Sequence, residues 1–193
     1  MAERVVNIIG MGASSRDVPD HGENWGINVA YKLCPRMDKL FFFDEFKELM
    51  FDDSHIPPLE RTFTEMLKNN PNVELISKIG APVNDQDGNK LTDVKAFPIQ
   101  EAIYLASGCY FTSTISYIIA YAILEKVDRI RLYGFEVWSG ADRTEYSYQR
   151  QAVEFWLGLA IGKGIKVELP YVCMLAAMPS QSLYGYADFH LKK

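Results

Sequence analysis

The sequence predicts a three-layer α/β fold, a mainly parallel sheet with helices on both faces, and three observations point to it. Short apolar runs end abruptly at glycine, proline or an acidic residue, as strands covered on both faces do. In the second half, segments with helical spacing separate these runs. Strand therefore alternates with helix, an order that favours parallel pairing through crossover connections.

Val5 to Ile9 is the first apolar run and stops at Gly10. Asn24 to Val29 is a second short strand. Lys39 to Asp44 is a third, aromatic and then abruptly acidic, and Glu45 to Phe51 is a candidate helix after it. Leu59 to Asn69 has helical spacing, with Leu59, Phe63, Met66 and Leu67 on one face. Val73 to Ile79 reads as a strand. Val83 to Lys95 is polar and carries the turn signal Asp85-Gln86-Asp87-Gly88-Asn89, so a loop is expected there. Thr112-Ser113-Thr114 offers N-caps to an apolar helix over Ile115 to Glu125. Arg129 to Tyr133 is a strand that runs into Gly134. Tyr146 to Gly162 is a long helix with Val153, Trp156, Leu157 and Ala160 facing inward, closed by Gly162-Lys163-Gly164. Ile165 to Leu169 is a last strand, stopped by Pro170. Residues from about 171 to 193 show no clear period and are expected to be irregular. With no repeat and no boundary signal, residues 1–193 are expected to form a single Rossmann-like domain.

Composition narrows the partners. Of 193 residues 48% are hydrophobic and 23% charged, which suits a folded globular chain. The net charge of −5 speaks against general nucleic-acid binding, which needs a basic face. Cys34, Cys109 and Cys173 lie far apart without paired spacing, so no metal site is expected, and a reducing compartment is the default. The start, Met-Ala-Glu-Arg, lacks a secretory pattern, and Ile115 to Leu124 is too short to span a bilayer. A cytoplasmic protein without membrane contact is the resulting expectation.

In parallel α/β sheets, ligands bind beyond the carboxyl ends of the strands, so the residues there are the candidate site. Gly10-Met11-Gly12-Ala13-Ser14-Ser15 follows the first strand. Its small residues let a backbone approach a phosphate, Ser14 and Ser15 add hydroxyls, and Arg16 adds charge. An ordinary tight turn explains the same letters. Asn28 follows the second strand and suits a base or sugar edge, or a turn. Asp44 follows the third and suits a ribose hydroxyl, a magnesium ion or a helix N-cap. Thr112, Ser113 and Thr114 open a helix whose positive end attracts anions, and Tyr110 and Phe111 offer rings for a base. Glu136 is the carboxylate after Gly134. Gln149 and Arg150 open the long helix and are either ligand contacts or a solvated face. His21 lies in the loop after the phosphate candidate; His55 and His190 show no metal spacing.

Arg4 to Ser15 together with Tyr110 to Trp138 resembles a Rossmann-like superfamily. It contains bacterial sialyltransferases that use a cytidine-nucleotide sugar, and 6-hydroxymethylpterin diphosphokinase-like proteins. Gly10-Met11-Gly12-Ala13-Ser14 stands for the family's Gly-x-Gly-Pro-Ser, Thr112-Ser113 for its helix start, and Gly134-Phe135-Glu136 for its Gly-x-Asp. Ala13 replaces the proline and Glu136 the aspartate, and the family's catalytic histidine has no match. The run Glu145 to Arg150, continuing through Gly158 to Ile165, is similar to proteins of tailed phages and prophages. The resemblance implies a nucleotide-like small-molecule ligand.

Three functions follow as expectations. The first is binding without turnover, in a phage setting the sequestration of a nucleotide signal in the host cytoplasm. The second is a nucleotide-dependent glycosyl- or diphosphotransferase, the one case that implies magnesium, with Asp44 and Glu136 as its holders or as a base. The third is a structural or assembly role with a vestigial site, the aromatic tail Tyr171 to Phe189 serving a homo-oligomer interface.

Overall fold

The computed structural model describes residues 2–43, 62–84, 87–135, 143–169, 175, 182–183 and 186–190. Its centre is a sheet of seven strands: β1 (Val5–Ile9), β2 (Glu23–Ile27), β3 (Lys39–Phe42), β4 (Glu74–Ser77), β7 (Val94–Ala96), β8 (Arg129–Tyr133) and β9 (Lys166–Glu168). Their spatial order is β7-β4-β3-β2-β1-β8-β9, and every neighbouring pair is parallel. From β1 the chain builds outward to β7 on one side, then returns to place β8 on the other side of β1. The topological switch point therefore lies between β1 and β8.

The alternation of side chains along each strand sorts the core into two layers. Val6, Ile8, Trp25, Phe41, Ile76, Ile130 and Leu132 face one side and are all buried. They pack under three helices: α2 (Ile99–Ala106), α3 (Thr114–Leu124) and α4 (Arg143–Gly162). Ile9, Leu40, Phe42, Leu75 and Val94 face the other side, against Tyr31, Met37 and helix α1 (Phe63–Asn69). Both faces thus carry helix, as the apolar runs predict.

Local chemistry explains the helix ends. Thr62 caps α1 in a capping box: its side chain accepts from the Glu65 N–H and the Glu65 carboxylate accepts from the Thr62 N–H. The carboxyl end of α4 closes in a Schellman turn, with Gly164 at φ +86°, its N–H bonded to Ile161 O at 2.9 Å and the Ile165 N–H to Ala160 O at 3.0 Å. α2 and α3 close the same way without glycine, because Ser107 and Lys126 hold the left-handed position at φ 51° and 54°.

The amino edge of the sheet carries alternating charges. Arg4 bonds Glu23 at 2.6 Å and Glu125 at 3.1 Å, Lys39 and Lys95 both pair with Glu74, and Lys39 sits 5.5 Å above the Trp25 ring. Burial raises the Glu23 carboxyl, but the Arg4 and Trp25 N–H bonds outweigh it and hold Glu23 below the usual carboxylate range.

Three sequence expectations need correction. Residues 83–95, read as a loop, contain the hairpin β5 (Val83–Asn84) with β6 (Lys90–Thr92) and then the edge strand β7. The hydrogen-bonding partner of β7 is β4, far off in sequence, so local polarity misleads. Helix α2 has no counterpart among the expected elements. The tail, expected to be irregular, contains β10 (Ser182–Leu183) and β11 (Tyr186–His190), an antiparallel pair. Leu59 and the Glu45 to Phe51 segment lie outside the described residues. No helix among the described residues is long and apolar enough to cross a membrane.

Candidate functional site

Because all seven strands are parallel, Gly10, Asn28, Phe43, Phe97 and Gly134 follow their carboxyl ends on one edge. α3 brings its first residues to the same edge, since its other end, Glu125, meets Arg4 just before β1.

The loops after β1 and β8 are tied into one unit at the switch point. Gly10 N–H donates to Tyr133 O at 2.7 Å, and Gly12 N–H to Gly134 O at 2.9 Å. Gly134 N–H donates to Ser14 Oγ at 2.7 Å. Ser15 Oγ donates its single proton between Gly10 O at 2.8 Å and Gly12 O at 2.7 Å. Both serines are buried. The glycines are there for closeness. A Cβ on Gly10 lies 2.5 Å from Gly134 O and 2.8 Å from the Phe135 ring. A Cβ on Gly134, at φ +79°, collides with Ser15 Oγ and stands 2.8 Å from the Gly10 carbonyl carbon.

This changes the role the sequence suggests for the loop. The N–H groups of Gly10 and Gly12 and the hydroxyl proton of Ser15 are engaged within the protein, where they tie the two loops together. The exposed lip is Ala13 and Arg16, on the short turn Ala13–Arg16.

At α3, Ser113 holds the N-cap position in an extended conformation (φ −159°, ψ 159°) but makes no side-chain cap bond. Its hydroxyl lies 3.3 Å from Ser116 Oγ instead. The first N–H groups of this eleven-residue helix thus lack the side-chain cap expected of them. Thr112 Oγ1 donates to Tyr148 O at 3.4 Å, which joins the start of α3 to α4.

Asn28 has φ 47° and its N–H donates to Phe41 O at 2.8 Å, so it turns the chain out of β2. Arg150 Nε bonds Glu154 Oε1 at 2.7 Å along α4, the ordinary i,i+4 pair. His21 is drawn away from the edge: Arg131 Nη1 meets His21 Nε2 at 2.7 Å on the sheet face beside Asn7. Asp44 and Glu136 lie outside the described residues.

An aromatic stack at this edge is not visible in the sequence. Phe43 stacks on Tyr117 at 4.2 Å, Tyr117 on Phe111 at 4.4 Å, and Phe111 on Trp156 at 4.8 Å, while Phe97 meets Phe43 edge-on at 5.6 Å. Burial pushes the Tyr117 hydroxyl above its usual range. Trp156 Nε1 donates to Tyr110 O at 2.8 Å and pins the segment that leads into Thr112. The sequence singles out Phe111 at this edge and Trp156 on an inner helix face, but the four rings come from separate elements that no spacing rule connects, and Phe111 stacks within the protein.

No protein-family model and no curated protein matches the chain. Among solved structures it is similar to the sialyltransferase CstII from Campylobacter jejuni, determined in complex with a substrate analogue, cytidine-5'-monophosphate. The two share 18% identity over 86% of this chain and 79% of that one, with a TM-score of 0.46.

Proposed function

We propose that this chain binds a nucleotide-like anion above the joined loops that follow β1 and β8, and that it acts as a nucleotide-dependent transferase. One observation carries the binding site: the switch point of a parallel sheet falls between β1 and β8, and five residues there, Gly10, Gly12, Ser14, Ser15 and Gly134, form a fixed, hydrogen-bonded floor. A rigid floor at a switch point leaves the strand-end loops free to line a cleft above it. The positive end of α3 and the exposed Arg16 supply attraction for phosphate at the same edge. The donor class comes from the resemblance in sequence to cytidine-nucleotide-using sialyltransferases and their relatives. Sequestration of a nucleotide signal has no residue of its own that speaks for it. In this reading Asp44 and Glu136 hold magnesium or take a proton.

Isothermal titration with cytidine and other nucleotides, and with cyclic dinucleotides, tests binding. Binding that weakens on Arg16→Glu is expected, since Arg16 is exposed and its replacement leaves the floor intact. No heat from any nucleotide at millimolar concentration sinks the proposal. Donor hydrolysis tests transfer: if it is unchanged by Asp44→Ala and Glu136→Ala and indifferent to magnesium, the transferase part fails while binding stands.

A further inference from the structure

We draw no further inference here: the strongest candidate, the apolar pocket that Ile103, Tyr104 and Leu105 of α2 line together with Leu124 at the end of α3, carries none, because nothing in the structure shows what covers it.

Discussion

Gly134→Ala perturbs the junction of the loops after β1 and β8 at its tightest point. Three costs add. The left-handed φ of +79° disfavours any Cβ by about 1–2 kcal/mol. Crowding against Ser15 Oγ and the Gly10 carbonyl forces backbone shifts worth about 1–3 kcal/mol. Displacing Ser15 loosens its bonds to Gly10 O and Gly12 O, about another 1 kcal/mol. The sum is about 3–6 kcal/mol, a large part of the 5–15 kcal/mol typical of a folded domain. Gly164→Ala is the control. Gly164 has φ +86° but an added Cβ meets nothing within 4 Å, so it carries the backbone cost alone, about 1–2 kcal/mol. Urea denaturation of both variants, with slopes compared, measures the difference. Equal losses for the two would refute the reasoning, because the close approach of the two loops would then contribute nothing.

Lys126→Gly and Ser107→Gly remove left-handed strain at the ends of α3 and α2 and should each stabilise by about 0.5–1 kcal/mol, seen as higher urea midpoints. Ser14→Ala leaves the buried Gly134 N–H without its 2.7 Å acceptor and should cost about 1–3 kcal/mol by the same assay. Glu23 and the exposed Glu3 and Glu65 all titrate below 4.5 in the folded chain. Each then binds its proton more weakly folded than unfolded. Their contribution is full above about pH 4.5 and is lost as pH falls through the folded values. Glu23→Gln should flatten that acid slope in urea midpoints measured from pH 6 to pH 3 (roughly the window of carboxylate titration); an unchanged slope would count against the Arg4 pairing. Phe111→Ala opens the middle of the aromatic stack and, since Phe111 is half-buried, should cost about 2–3 kcal/mol, with a change in near-ultraviolet circular dichroism as the readout.

The strands and helices that carry their own pattern are legible in the residue order alone. Val5 to Ile9 reads as a buried parallel strand, because a strand covered on both faces is nearly continuously apolar, and Arg129 to Tyr133 reads as a strand that ends at Gly134. Of the two long helices of the second half, α3 is legible as an apolar run buried on most sides and α4 from its one apolar face, and the carboxyl edge follows from parallel order. Tertiary structure decides the rest. β7 is only three residues, Val94-Lys95-Ala96, too short to show a period, and it is a strand because β4 offers it a hydrogen-bonding edge. The rings of Phe43, Phe111, Tyr117 and Trp156 meet only once α3 and α4 lie on the sheet. Ser14 and Ser15 look alike in the sequence as donors to a ligand. The glycine after β8, 120 residues away, gives Ser14 its partner N–H, while Ser15 turns back on its own loop. Periodicity and turn chemistry are local and survive in a string of letters. The partner of a hydroxyl or the edge of a sheet is set by parts of the chain that meet only on folding.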